Sequence, residues 1–205
     1  MKIIFIYNGA ENLGIEYLSS FLKSRGHEVH LLFDPATLTG DYIAKSKLLY
    51  WVFNIDREII KRVIDLKPDL VAFSAYTGNY RWCLNIAQSI KKLSNIPIVF
   101  GGVHTTAVPE KVLSNDFVDF AIIGEGEHAM LDLLEHIEQR NESEELLGLP
   151  NICFKYKGNL RINAPRAYIR DLDALPFPDK FLFYDKVSML EEKYLITKAL
   201  VHARA

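Results

Sequence analysis

Short apolar runs alternate with segments of helical periodicity from residue 2 to about residue 140. Each run is nearly continuous in apolar residues, as expected of strands that helices cover on both faces. Such runs, separated by helical segments, predict βαβ units and a parallel sheet. The predicted strands are Lys2–Tyr7, Glu28–Phe33, Leu70–Ser74, Pro97–Phe100 and Asp119–Ile123.

The segments between these runs carry apolar residues on one helical face. Met130, Leu133, Leu134 and Ile137 follow the spacing i, i+3, i+4 and i+7, which predicts an amphipathic helix. Gly26 ends the first predicted helix, as a glycine beyond the last turn commonly does. Right-handed alternations of this kind most often adopt the strand order two-one-three-four-five. We therefore predict an α/β, flavodoxin-like (Rossmann-like) sheet of five parallel strands with helices on both faces.

The regular alternation is interrupted once and ends near residue 140. Residues 35–58 are too long for a simple connection, and their apolar cluster at 48–53 predicts a loop with an extra helical stretch. This stretch could cover the edge of the core or face a partner domain. After a charged loop, Ile152–Tyr156 and Leu160–Ile162 predict a hairpin. The prolines of 171–178 then predict an extended linker. We therefore divide the chain into a domain at residues 1–142, a hairpin with its linker at 143–185, and the start of a further unit at 186–205.

Composition and charge narrow the classes of function. The chain has 205 residues, 49% of them hydrophobic, which is enough for a well-buried core. The formal net charge of −2 does not favour nucleic acid as a partner. The apolar opening stops at Asn8, too early for a signal peptide or a membrane span, which favours a cytoplasmic protein. Cys83 and Cys153 lie in unrelated contexts and are expected in the core.

Glycine and small polar residues follow four of the five predicted strands, in the loops 8–14, 74–80, 101–106 and 124–127. Ligands of open parallel sheets bind beyond the carboxyl ends of the strands. Glycine lets a ligand approach the backbone closely, and Ser and Thr supply short hydrogen-bonding groups. One such loop alone would be read as a turn, but four on one edge predict a site for a large polar ligand.

Several short motifs occur in a fixed order along the chain: Leu13-Gly14, Gly26-His27-Glu28-Val29, Pro68-Asp69-Leu70, Gly101-Gly102-Val103-His104-Thr105-Thr106, Gly124-Glu125-Gly126-Glu127 and Asp171-Leu172-Asp173-Ala174-Leu175-Pro176. In this order and spacing they resemble the amino-terminal cobalamin-binding domain of the radical S-adenosylmethionine (SAM) superfamily. The last motif is similar to that family's linker into its catalytic barrel. The resemblance extends over residues 1 to about 180.

The resemblance implies a cobalamin over the carboxyl edge of the sheet, with its nucleotide tail among the loops after the third, fourth and fifth strands. Glu125 or Glu127 would bond a ribose hydroxyl or cap the following helix. Tyr76, Tyr80 and Trp82 could cover the corrin face or simply pack in the core. The expected contact residues are Ser74, Thr77, Gly101, Gly102, His104, Thr105, Gly124, Glu125, Gly126 and Glu127.

The chain departs from better-known cobalamin modules after the first strand. Those modules supply a lower axial histidine from an Asp-x-His-x-x-Gly motif, but this loop reads Asn8-Gly9-Ala10-Glu11. We therefore expect cobalamin to bind with its own base displaced and without a protein histidine below the cobalt. His104 is the one histidine on this edge, and hydrogen bonding is its expected role. The cluster of Glu125, Glu127 and His128 is interpreted as a helix start rather than a metal site.

Radical SAM enzymes hold a 4Fe-4S cluster with the motif Cys-x-x-x-Cys-x-x-Cys, and no cysteine follows Cys153. The resemblance therefore implies a cofactor domain that ends before the cluster-binding barrel and performs no catalysis alone. The parent enzyme would also need SAM and a barrel, supplied in cis or in trans. The end of the chain should be a flexible or dimer-forming tail that exposes Phe181, Phe183, Leu190 and Leu195.

Three alternatives share this type of fold. A response-regulator receiver needs acidic residues after the first strand and an aspartate after the third, where Tyr7-Asn8 and Ser74-Ala75 stand. A flavodoxin needs a Ser/Thr-rich phosphate loop after the first strand, which is absent here. A nucleotide- or nucleotide-sugar-binding Rossmann-like module, as in half of a glycosyltransferase, remains open. It would not explain the linker motif.

Overall fold

One mixed sheet organises the computed structural model, which describes residues 1–34, 55–139 and 142–184. Its strands are β1 (Lys2–Asn8), β2 (Glu28–Asp34), β3 (Leu70–Ser74), β4 (Ile98–Gly101), β5 (Phe120–Ile122), β6 (Ile152–Tyr156) and β7 (Asn159–Ile162). Their order is β2-β1-β3-β4-β5-β6-β7, and β1 to β5 run parallel. The predicted α/β class and the predicted order of five parallel strands are confirmed.

Helices cover both faces of this sheet. They are α1 (Leu13–Ser24), α2 (Ile55–Leu66), α3 (Tyr80–Leu93), α4 (Val103–Ala107), α5 (Pro109–Leu113) and α6 (Glu127–Gln139). Asn12 caps α1 by accepting a 3.1 Å hydrogen bond from the backbone N–H of Ile15. Pro109 occupies the first turn of α5, where its missing N–H costs nothing. Short 3₁₀ turns lie at Glu145–Gly148 and Leu172–Ala174.

Two separate apolar clusters form the core, one on each face of the sheet. On one face α1 and α6 bury Leu22 and Leu133 against β1 residues such as Phe5. On the other face α2, α3 and α5 cover residues such as Ile4. Alternate β1 residues enter opposite clusters because successive side chains of a strand point to opposite faces.

Cys83 and Cys153 are fully buried, as expected. Burial raises the pKa of the Cys83 thiol to about 12 and that of Cys153 to about 11. Both thiols therefore stay protonated at neutral pH and act as small apolar side chains.

The predicted hairpin extends the main sheet. β6 pairs antiparallel with β5, so Cys153 lies opposite Ala121, and β7 forms the outer edge. Cys153 and Phe154 are buried, whereas all four residues of β7 are exposed. The two strands of the hairpin were predictable from the sequence, whereas their pairing with β5 was not, because it is a long-range contact.

The expected exposed tail is only partly correct. Phe181 is 74% exposed, but Phe183 is buried to 2% exposure, so the prediction for Phe183 is wrong. Its ring packs edge-on against the rings of Tyr7 and Phe33, because Asp179 fixes this segment on α1. Leu190 and Leu195 lie outside the described residues, as does most of the predicted loop and helix at 35–58. No helix in the described ranges is long and apolar enough to cross a membrane.

Candidate functional site

A cavity of about 410 Å³ opens at the carboxyl ends of β1, β3, β4 and β5. Its floor is apolar and is formed by side chains on the sheet, while Leu18 of α1 and Met130 of α6 line its sides. Glycine and polar residues from the loops after the strands line the rim. The cavity thus combines a slot fit for a flat apolar group with a rim of glycine and polar residues. The floor residues are Phe5, Ala72, Val99 and Ile122.

Seven of the ten predicted contact residues line this cavity: Ser74, Gly101, Gly102, Gly124, Glu125, Gly126 and Glu127. One of the glycines is required by the local geometry. Gly102 has a φ of +92°, and a Cβ there would lie 2.6 Å from the carbonyl oxygen of Ala75. At Gly126 a Cβ would lie 3.3 Å from Leu18 Cδ2, so a larger side chain would crowd Leu18 in the cavity lining.

The side chain of Asn79 stabilises the loop after β3 by hydrogen bonds. It is 1% exposed, and its Oδ1 accepts a 2.9 Å hydrogen bond from the backbone N–H of Tyr76. Its Nδ2 donates to the carbonyl oxygens of Asn8, at 3.2 Å, and Ser74, at 3.3 Å. Asn79 therefore joins the carboxyl ends of β1 and β3, which form one side of the cavity. The sequence analysis missed the role of this residue, although an asparagine directly after a glycine is a recognisable loop signal.

His104 and Thr77 lie beside the cavity rather than in its lining. Thr77 is exposed, and its Oγ1 lies 3.3 Å from Nδ1 of His104. The imidazole lies over the ring of Tyr80 with 4.1 Å between centroids. Within the described chain, the buried Nε2 of His104 has no hydrogen-bond partner. Burial lowers the pKa of His104, and the nearby charge of Lys111 lowers it further.

Thr105 is not among the residues that line the cavity. Its side chain is fully buried, and its hydroxyl donates a 3.0 Å hydrogen bond to the carbonyl oxygen of Gly101. The neighbouring Thr106 reaches the loop after β5, where its Oγ1 accepts a 3.0 Å hydrogen bond from the backbone N–H of Gly124. The helical turn of α4 points Thr105 inward, a direction that the loop composition could not reveal.

The carboxylate of Glu125 is hydrogen-bonded to another segment of the protein. Its Oε2 accepts a 2.8 Å hydrogen bond from the backbone N–H of Ile169, which fixes the extended segment beyond the hairpin. A second cavity of about 200 Å³ lies beneath that segment and is lined by Glu125 and His128, among others. Glu127 begins α6, as predicted for a carboxylate at a helix start. In the described ranges, no three His, Cys, Asp or Glu side chains form a group that could hold a metal ion.

The three aromatic residues near β3 have different environments. Tyr76 is 38% exposed and lines the cavity. Tyr80 is buried against Phe100 and His104. Trp82 donates from Nε1 to Asp56 at 2.9 Å, which ties α3 to α2. Of the three, only Tyr76 is placed to contact a ligand.

The family described as the B12 binding domain matches residues 5–134. An uncharacterised methyltransferase of Pyrococcus horikoshii is 30% identical over 185 residues, covering 89% of this chain and 35% of that protein. The anaerobic magnesium-protoporphyrin IX monomethyl ester cyclase of Cereibacter sphaeroides is 26% identical over 192 residues, covering 85% and 28%. The chain thus spans about a third or less of the length of these relatives.

Two solved structures have a similar fold. The cobalamin-dependent SAM radical enzyme OxsB with aqua-cobalamin bound gives a TM-score of 0.68 at 19% identity, covering 88% of this chain and 24% of that one. The radical SAM methyltransferase TsrM of Kitasatospora setae, with tryptophan substrate and a SAM analogue bound, gives 0.62 at 16% identity, covering 82% and 30%. Both likenesses establish the shared fold.

Proposed function

Because this chain belongs to the B12-binding domain family, we propose that it holds cobalamin across the carboxyl edge of the sheet as the cofactor domain of a radical SAM enzyme. The observation that carries the proposal is the 410 Å³ cavity, with its apolar floor and its rim of glycine loops. The apolar slot fits the flat base of the nucleotide tail. The exposed rim leaves room above it for the corrin ring.

Each group of residues has a defined task in this proposal. Leu18 and Met130 enclose the base of the nucleotide tail and exclude water. Backbone N–H groups of the loops after β4 and β5, other than that of Gly124, which donates to Thr106, donate to the phosphate and ribose oxygens of the tail. The hydroxyls of Ser74 and Thr77 hydrogen-bond the polar periphery of the ligand. We omit Thr105 from the contact set because its hydroxyl is already bonded to the backbone.

We propose further that no protein histidine lies below the cobalt. The lining residues that the structure describes include no histidine. Asn8, where the axial motif would begin, donates from Nδ2 to Asp34 at 2.8 Å and is buried. With its nucleotide tail in the slot, cobalamin would bind with its own base displaced from the cobalt.

The parent activity is also a proposal. OxsB and TsrM are named as radical SAM enzymes, and TsrM as a methyltransferase. On this analogy the chain would work with a catalytic barrel that carries a 4Fe-4S cluster and SAM and is supplied in cis or in trans. Residues 186–205 would begin that barrel. The expected location of the protein is the cytoplasm. Bound cobalamin supplies the cobalt chemistry of methyl transfer. Exposed side chains such as Phe177, Phe181 and Tyr168 would contact the barrel or, without it, a second copy.

The test is an equilibrium titration of the purified chain with hydroxocobalamin, followed by desalting and a visible spectrum. A uridine diphosphate sugar is titrated in parallel. We expect stoichiometric retention of corrin absorbance and no binding of the nucleotide sugar. A colourless protein would overturn the proposal, and if it bound the nucleotide sugar, it would establish the nucleotide-sugar-binding module instead.

A further inference from the structure

The segment after the linker motif is fixed on helix α1. Asp179 Oδ2 lies 2.6 Å from Ser19 Oγ and 2.6 Å from Lys23 Nζ, and both groups donate to it. The backbone N–H of Asp179 donates to the carbonyl oxygen of Glu16 at 3.2 Å. Burial alone would raise the pKa of Asp179, but the hydrogen bonds from Lys23 and Ser19 outweigh it and lower that pKa, so Asp179 binds α1 as a carboxylate at neutral pH.

The next residue, Lys180, pairs with two carboxylates at the start of α1. Its Nζ lies 2.8 Å from Glu11 Oε1 and 2.9 Å from Glu16 Oε2. Glu16 is fully buried, and its carboxylate receives no hydrogen bond of good geometry from the described residues. Burial raises the pKa of Glu16, and Lys180 opposes that effect. An unpaired buried carboxylate is costly, so the ammonium of Lys180 stabilises this part of α1.

Two apolar residues complete the attachment. Leu182 is 7% exposed and Phe183 is 2% exposed. The Phe183 ring lies 5.1 Å from that of Phe33 and 6.4 Å from that of Tyr7, edge-on to both. Such pairs stabilise beyond the area they bury. Residues 179–183, which we call the clasp, are thus anchored by charge at one end and by packing at the other.

The clasp contacts residues that line the cavity. Tyr7 packs against Phe183 on one side and lines the cavity. Asn12, another lining residue, lies in the short stretch between the two carboxylates that Lys180 pairs. Its Nδ2 is 3.4 Å from Ser74 Oγ, across the mouth of the cavity. Release of the clasp would therefore free both Tyr7 and the loop that carries Asn12.

We propose that Asp179 and Lys180 are positioning residues of the cofactor site, and that docking of the clasp and binding of cobalamin favour each other. This inference rests on the proposed function. Coupling of two equilibria is reciprocal, so a clasp that strengthens cobalamin binding must itself be stabilised by cobalamin to the same degree. The extended segment that follows the hairpin would then report the state of the cofactor site to whatever lies beyond it in the chain.

The experiment combines hydrogen exchange of the clasp with hydroxocobalamin titration of the full chain. Lys180→Met removes the ammonium, and Lys180→Arg retains a positive charge. Lys92→Met is the matched control, since Lys92 is exposed near the end of α3. We expect Lys180→Met to speed exchange in the clasp and to weaken cobalamin binding by about tenfold. Lys180→Arg and Lys92→Met should bind within about twofold of wild type. Saturating cobalamin should slow exchange in the wild-type clasp.

Lys180→Met also leaves Glu16 buried without its partner, and the variant could fail to fold. Asp179→Ala leaves no buried charge unpaired, because Lys23, the cation it releases, is 44% exposed, and the buried group that loses its acceptor is the neutral hydroxyl of Ser19. Faster clasp exchange with unchanged cobalamin affinity in Asp179→Ala would overturn the inference, and so would wild-type exchange that cobalamin does not slow. Failure of the proposed function is distinguishable from both, because the wild-type chain would then bind no cobalamin at all.

Discussion

The imidazole of His104 stacks on the ring of Tyr80 with 4.1 Å between centroids and an angle of 32° between planes. This contact buries Nε2 without a partner in the described chain, while Nδ1 faces the hydroxyl of Thr77. His104 is therefore held mainly by packing, and its neutral form is the one that the folded protein favours.

Replacement of His104 by phenylalanine should preserve the fold. The new ring can stack on Tyr80, and the change removes a buried polar atom that lacks a partner, so the free energy of unfolding at pH 7.5 should change by less than about 1 kcal/mol. Urea unfolding measures this. A loss of several kcal/mol would show instead that Nε2 has a partner that stabilises the fold.

The same variant should alter the pH dependence of stability. Because burial lowers the pKa of His104 in the folded protein, the unfolded chain binds a proton more readily below about pH 6.5, and the wild type loses stability as the pH falls. His104→Phe lacks this contribution and should lose less between pH 7.5 and pH 5.5. His27 and His136, whose pKa values burial also lowers, remain in both proteins, so the difference isolates His104. Parallel curves would contradict this assignment.

Asn79→Ala should destabilise the protein and loosen the cavity rim. It would leave the N–H of Tyr76 and the carbonyl oxygens of Asn8 and Ser74 without their buried partner, at a cost of about 2–4 kcal/mol. Asn85→Ala, at an exposed position of α3, is the matched control and should change the free energy of unfolding by no more than about 0.5 kcal/mol. Equal effects of the two substitutions would refute the role given to Asn79.

The cobalt of bound cobalamin should have no nitrogen ligand on its lower face. After reduction to Co(II), the electron paramagnetic resonance spectrum of the complex should therefore lack nitrogen superhyperfine splitting. Free cobalamin at neutral pH, in which its own base is the ligand, provides the reference spectrum. Splitting in the bound form that disappears in His104→Phe would identify His104 as the ligand and contradict the predicted absence of an axial histidine.

The parallel sheet was predictable because the information is local. Each buried strand is a continuous apolar run, and the chirality of βαβ connections leaves few possible orders. The location of the cavity rim was predictable for the same reason, because the loops that follow parallel strands all lie at the same edge of the sheet. Leu18 and Met130 were not predicted to line the cavity, because cavity-lining and core-packing residues occupy the same apolar face of a helix.

The positions that sequence reasoning missed depend on distant contacts. Phe183 reads as part of an exposed tail, yet contacts between Asp179 and Ser19, 160 residues apart, bring it into the core. The pairing of β6 with β5 could not be predicted from the sequence for the same reason. Thr105 shares its composition with the rim, but the turn of α4 directs its hydroxyl to the carbonyl oxygen of Gly101. The composition of the loops was enough to identify them, whereas the direction of each side chain is known only from the three-dimensional structure.

The most direct test of the central claim is a hydroxocobalamin titration of wild type, Gly126→Leu and Gly148→Leu. A leucine at Gly126 would fill the slot beside Leu18, whereas a Cβ at Gly148 meets no atom within 4 Å. We predict that wild type and Gly148→Leu retain stoichiometric cobalamin and that Gly126→Leu binds at least about tenfold more weakly with an unchanged circular dichroism spectrum. Equal retention by all three proteins would contradict the claim that cobalamin occupies this cavity.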